Sequence, residues 1–192
     1  MVGVEHVSMI PSAPRNNWSA SVNGQALAIE IESCAVLLDV LRDQVGTLGV
    51  KRGCDMGTCG CCTVLIDGVP RLSCLTLAGQ VAGQEITTVE GLAEGHHLHP
   101  IQEMFTECGG SQCGFCTPGF LLSSSALLDL NDSPTDAEVK SALDGNLCRC
   151  TGYQQIVESV QAAAELLRDE NARKDGTTAQ ADPHTGFGGE NI

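Results

Sequence analysis

Residues 53–62, GCDMGTCGCC, pack four cysteines and three glycines into ten positions. Thiolates are soft ligands that suit zinc and iron-sulfur clusters. Cys54, Cys59, Cys62 and the later Cys74 are spaced C-x4-C-x2-C-x11-C, and C-x4-C-x2-C with a distant fourth cysteine is the plant-type [2Fe-2S] pattern. Gly53, Gly57 and Gly60 let such a loop curl around a flat two-iron rhomb with its N–H groups aimed at sulfur. The competing chemistry is structural zinc, which favours paired C-x2-C knuckles, and only Cys59 and Cys62 make one. Cys61 reads as a small side chain pointing away, with a swap into the ligand set as the alternative.

A second constellation lies downstream: Cys113 and Cys116 in QCGFCTPG, and Cys148 and Cys150 in GNLCRCTGY. Each pair stands just before an expected helix, so two helix N-termini would converge on one four-thiolate site. Free N–H groups and the positive dipole end stabilise an anionic cluster there.

Other residues carry weaker signals. Cys34 and Cys108 have no partners at matching spacing and read as buried small residues. His96, His97 and His99 form HHLH, either a metal-binding stretch or, as preferred, a solvated loop before the helix that Pro100 starts. Arg149, between two thiols, either donates hydrogen bonds to the site or faces a partner. No nucleophile-base-acid set or phosphate loop is present.

These thiols need elements to position them. Asn23-Gly24 between residues 19–22 and 26–31 predicts a β-hairpin. Val36, Leu37, Val40 and Leu41 predict a helix over 35–45 that lies across it. Strand-like segments at 63–66 and 69–75 flank Asp67-Gly68, and 85–89 adds another. The expectation is a ferredoxin-like α+β unit ending near Gly91. From Leu92 the period turns helical. Helices are predicted from Pro100, from Thr117-Pro118, from 133–136 to Gly145, and along Ile156, Val157, Val160, Ala163, Ala164 and Leu167. The resulting division is an extension over 1–17, a plant-type [2Fe-2S] ferredoxin-like domain over 18–91, a helical [2Fe-2S]-binding domain over 92–168, and a polar tail over 169–192, expected to be disordered or partner-bound.

The chain has 192 residues, eleven cysteines, 3% aromatics and a net charge of −14. With so few large side chains, metal staples are expected to support the core. The acidity excludes a nucleic-acid partner, since binding phosphate needs a basic face; it serves solubility or steers a protein partner. The opening residues lack a basic leader and apolar run, and no stretch approaches the roughly 18 apolar residues of a membrane span. A cytoplasmic location follows, where clustered cysteines are metal ligands more readily than disulfides.

GCDMGTCGCCTVLIDG with Cys74, then QCGFCTPG, then GNLCRCTGY, in this order, resemble the iron-sulfur (small) subunit of the xanthine oxidase family of molybdenum hydroxylases. The resemblance covers about residues 19–168, and its one departure is Cys61, where the family has a small residue. It implies an N-terminal plant-type ferredoxin-like (β-grasp) domain followed by an all-α four-helix [2Fe-2S]-binding domain. It implies a non-catalytic subunit of an oxidoreductase, in which a large partner carries a molybdenum-pterin cofactor and hydroxylates substrate with water-derived oxygen. Electrons would pass singly through the helical-domain cluster and the plant-type cluster to FAD on a medium subunit or to another acceptor, in a heterotrimer or its dimer. Gln112 and Cys150 match positions that approach the pterin. The alternatives are a free-standing ferredoxin-like carrier, which needs only the first cysteine set, and a zinc-stapled structural module, which would be colourless.

Overall fold

Asn23-Gly24 and Asp67-Gly68 take positive φ at both residues, 51° and 75°, then 49° and 78°, as the type I′ hairpin turn requires. In a computed structural model, which describes residues 13–174, the first turn joins β1 (Arg15–Val22) to β2 (Gln25–Glu32), with Trp18 opposite Ile29. The second joins β3 (Thr63–Ile66) to β4 (Val69–Leu72). A short β5 (Glu85–Thr87) runs between the hairpins, parallel to β1 and antiparallel to β3, giving the order β2-β1-β5-β3-β4. The expected strands over 69–75 and 85–89 are thus shorter. The first stops because Ser73 turns back, its N–H and hydroxyl both donating to the Cys62 carbonyl.

A helical segment, α1, packs on this sheet. It is α-helical only over Leu37–Asp39 and continues as a π-helix over Val40–Val45, where the sequence predicts one α-helix. The wider turn closes on the Leu41 carbonyl, which accepts from Gly46 and from the Thr47 N–H and hydroxyl. Leu37, Leu38, Val40 and Leu41 are all fully buried, against Trp18, Ile31, Val64 and Ile86. Each such side chain contributes about 1.5–3 kcal/mol by leaving water.

The helical layer comprises α2 (Pro100–Glu107), α3 (Thr117–Leu130), α4 (Asp136–Leu143) and α5 (Gln154–Lys174). Thr135 and Glu138 close a capping box on α4, satisfying N–H groups that a helix start leaves free. Ile156, Val157, Val160, Ala163 and Ala164 are buried against Ile101, Phe105 and Phe120. The stripe ends at Leu167, but α5 runs on to Lys174, past the expected end at Arg168. Helix α3 is buried on most sides because it stands between the layers: Phe120 and Leu121 join the helical core, while Leu122 and Ala126 pack on Leu65 of β3. Residues 1–12 of the expected extension and 175–192 of the expected tail lie outside the described residues. Among those described, no helix is long and apolar enough to cross a membrane.

Candidate metal centres

The first cysteine loop leaves α1 and is held at several points. Arg52 pairs with Asp39 on α1 and with Asp55 in the loop, and Lys51 N–H donates to the Cys61 carbonyl at 3.1 Å. The loop then wraps around one sulfur: the N–H groups of Met56, Thr58 and Cys59 point at Cys54 Sγ from 3.5, 3.4 and 3.4 Å. They lower the Cys54 thiol to about 7, with a further contribution from the Cys59 side chain. Gly57, at φ 71°, permits the curl, and a Cβ there would lie 2.4 Å from Leu75 Cδ1.

Cys74 sits in the 3-10 turn Ser73–Leu75 that ends β4. The turn brings its thiol into hydrogen-bonding contact with Cys62, and burial, then Cys62, push it up to about 11. Cys61 packs as a small side chain. It is buried, its thiol lies 3.9 Å from the Cys59 carbonyl oxygen and also contacts the Cys59 thiol. Burial pushes it up to about 12, and it is near enough to Cys116 for their charges to interact. The reason is packing: Cys61 fills the space beneath Gly53, whose Cβ would meet Cys59 Sγ at 2.7 Å and Cys61 Sγ at 3.2 Å.

The second set gathers where α3 and α5 begin. Cys116 caps α3, and its thiol is pushed up to about 12 by burial and then by its hydrogen bond with Cys148. Burial would also raise Cys148, but the Thr151 hydroxyl at 3.2 Å and N–H at 3.4 Å, with the Cys150 N–H, outweigh it and lower the thiol. Cys113 and Cys150 are exposed with sulfurs 3.6 Å apart, and that contact raises Cys150. The loop is shaped by Tyr153, which takes φ 72°. Its N–H donates to Thr151 Oγ1 at 3.2 Å and its phenol oxygen accepts the Cys148 N–H at 2.9 Å. Gln112 is exposed beside Cys113, and Phe115 is exposed nearby in sequence.

Cys113 and Cys150 bring their sulfurs to 3.6 Å, and thiol contacts also link Cys54 with Cys59, Cys59 with Cys61, Cys62 with Cys74 and Cys116 with Cys148. Among the described residues no three metal-binding side chains converge on a single-ion position. Paired thiols suit a two-iron rhomb, each iron taking two sulfurs, so each set of four can hold one [2Fe-2S] cluster.

The two loops touch. Leu147 N–H donates to the Cys59 carbonyl at 2.9 Å, and Asn146 Nδ2 donates to the Gly60 carbonyl at 3.1 Å. Neither Asn146 nor Tyr153 stands out in the sequence as a site residue; their position beside the second cysteine pair is the available signal.

The remaining candidates fall elsewhere. Cys34 is exposed, a correction to its expected burial: the turn between β2 and α1 is anchored through Ser33 on Pro14, which leaves Cys34 at the tip. Cys108 ends α2, half-buried. His96 and His97 are exposed around a turn at Gly95. His99 has a role that the sequence hid: its Nδ1 accepts the Ile101 N–H at 3.2 Å while Gln102 accepts the His99 N–H, a capping box on α2. Arg149 is exposed.

Comparison with known proteins agrees. A 2Fe-2S iron-sulfur cluster binding domain matches residues 17–107 and a [2Fe-2S] binding domain matches residues 88–161. The small subunit of nicotine 6-hydroxylase from Paenarthrobacter nicotinovorans is 49% identical over 150 residues, 78% of this chain and 90% of that one. The chain belongs to the iron-sulfur subunits of the xanthine oxidase family of molybdenum hydroxylases. Within that family, the nicotinate dehydrogenase small FeS subunit of Eubacterium barkeri is 48% identical, covering 76% of this chain and 92% of that one. The structure of quinoline 2-oxidoreductase from Pseudomonas putida 86 superposes with a TM-score of 0.78 at 44% identity, over 81% of this chain and 97% of that one. As a member of the xanthine oxidase family, this chain is an electron-transfer subunit of an oxidoreductase and does no catalysis itself.

Proposed function

We propose that Cys54, Cys59, Cys62 and Cys74 hold one [2Fe-2S] cluster and Cys113, Cys116, Cys148 and Cys150 the other. The division is a ferredoxin-like (β-grasp) domain over 18–91 and a helical domain over 92–168. The clusters supply one-electron carriage between a molybdenum-pterin site on a large partner subunit and FAD on a medium one, in a heterotrimer or its dimer. The chain's own residues set the conditions. N–H groups around Cys54 and the Thr151 hydroxyl and N–H at Cys148 stabilise sulfur as thiolate, and hydrogen bonds to sulfur raise a cluster's potential. Gln112 and Cys150, both exposed, are assigned to face the pterin. Exposed Phe115 and Leu147 beside the second set, and exposed Met56 and Leu75 beside the first, offer apolar rims to two different partners. Paired thiols of this kind need a reducing compartment, which supports a cytoplasmic site of action.

The observation that carries this reading is the gathering of eight thiols in two sets whose loops are hydrogen-bonded together. Reduction of the purified complex should reveal two distinguishable [2Fe-2S] signals by electron paramagnetic resonance, with about four irons per chain. A single cluster, or zinc without acid-labile sulfide, overturns it.

A further inference from the structure

The two cysteine loops meet at Asn146. This side chain is 4% exposed and uses both ends of its amide: Nδ2 donates to Gly60 O at 3.1 Å, and Oδ1 accepts from Ser123 Oγ of α3 at 2.9 Å. Its backbone N–H donates to Leu143 O at 2.9 Å. Asn146 therefore pins the first loop, α3 and the end of α4 at one point.

Its surroundings admit no slack. Gly60 takes φ 70°, and a Cβ there would stand 2.2 Å from Gly145 O and 2.6 Å from Asn146 Nδ2. A Cβ on Gly119 of α3 would stand 2.3 Å from Gly60 O and 2.8 Å from Asn146 Nδ2. One residue on, Leu147 N–H donates to Cys59 O. From Cys59 to Cys148 the connection is therefore backbone, one hydrogen bond, and backbone again.

We infer that Asn146 is a positioning residue for electron transfer within the chain: by clasping Gly60 and Ser123 it fixes the Cys59–Leu147 hydrogen bond as the link between the two centres. This rests on the assignment of Cys59 and Cys148 to different clusters. An amide with one donor and one acceptor end engaged in opposite directions fits the place. Asp keeps the shape and the acceptor for Ser123 but sets a carboxylate against the Gly60 carbonyl, which costs the donor and adds repulsion.

The test uses the full chain in complex with its partner subunits, comparing wild type with Asn146→Asp and Ser123→Ala. The second variant frees one end of the clasp and leaves both loops intact, so it decides the matter where Asn146→Asp does not load its clusters. Measured are iron content, the potentials of both centres, the magnetic interaction between them by electron paramagnetic resonance, the rate of electron equilibration after rapid photoreduction, and amide exchange of Leu147. Expected are full iron, a weakened magnetic interaction, faster exchange at Leu147, and slowed equilibration for Asn146→Asp, with a smaller slowing for Ser123→Ala. Unchanged interaction and unchanged equilibration in a loaded variant overturn the role of Asn146 and leave the cluster assignment standing. A wild type that lacks two separate signals overturns the assignment itself.

Discussion

The phenol oxygen of Tyr153 accepts the backbone N–H of Cys148 at 2.9 Å while its ring stands edge-on to Phe120, centroids 6.1 Å apart. One side chain thus ties the second cysteine loop to the helical core. Both contacts follow from the positive φ of Tyr153, which turns the side chain back over the loop that precedes it.

Tyr153→Phe keeps the ring contact and removes the acceptor. It should lower stability by about 0.5–1.5 kcal/mol, or about 2–4 °C per kcal/mol in thermal unfolding. Tyr153→Ala should lose more, since the aromatic pair goes as well.

Gly60→Ala should separate the two layers. The left-handed backbone alone costs about 1–2 kcal/mol, and overpacking against the Gly145 carbonyl adds about 1–3 kcal/mol. Gly68→Ala carries the same backbone penalty at φ 78° but has open space around it, so it should lose only the first part. Denaturant midpoints of the two variants give the comparison, and equal losses would contradict it.

The His99 cap makes stability depend on pH. Burial holds the ring below its ordinary value of 6.5, against the opposing pull of Asp129 and Glu170. The unfolded chain therefore binds the proton more readily. The contribution is whole above the unfolded value and is lost as pH falls through the lower folded value, when Nδ1 can no longer accept from Ile101. Thermal unfolding between about pH 7.5 and 5 should show a steeper decline for wild type than for His99→Asn, which caps without titrating.

Cys61→Ser and Cys59→Ser should behave differently despite their nearness. Cys59→Ser should lose the first signal and about two of about four irons. Cys61→Ser should keep both signals and lose about 1–3 kcal/mol, as expected for a buried hydroxyl without a full partner. Loss of the first cluster from Cys61→Ser would make Cys61 a ligand.

Thr151→Val removes the hydroxyl that donates to Cys148 Sγ. A redox titration of the complex should find the second centre at a more negative potential, since hydrogen bonds to sulfur favour the reduced cluster. The first centre should not move.

What the sequence disclosed was what depends on short range. Asn23-Gly24 and Asp67-Gly68 announce their hairpins because few other pairs take positive φ twice. The stripe from Ile156 to Ala164 announces α5, and the cysteine intervals announce both centres. What it hid depends on distant partners or on hydrogen-bond register. The π-helix over Val40–Val45 rests on which N–H groups reach Leu41. Asn146 is unremarkable until Gly60 lies against it, and His99 caps α2 through a ring nitrogen where Ser, Thr, Asp or Asn is the usual choice. Cys34 stands exposed where burial is expected, because neither burial nor exposure of a single thiol has a local signature.

Asn146 and Gly60 are 86 positions apart, and that separation is also an interval of time. At about 5–20 residues per second, a ribosome needs roughly 4–17 s after making the first cysteine loop before it makes the residue that covers it. Throughout that interval the loop lacks its lid and its link to Leu147, and for the first part of it also the neighbouring α3 glycine that shapes its path. The first centre's four cysteines are therefore all made long before the residues that cover it, and iron and sulfide delivered in that interval would meet an uncovered loop.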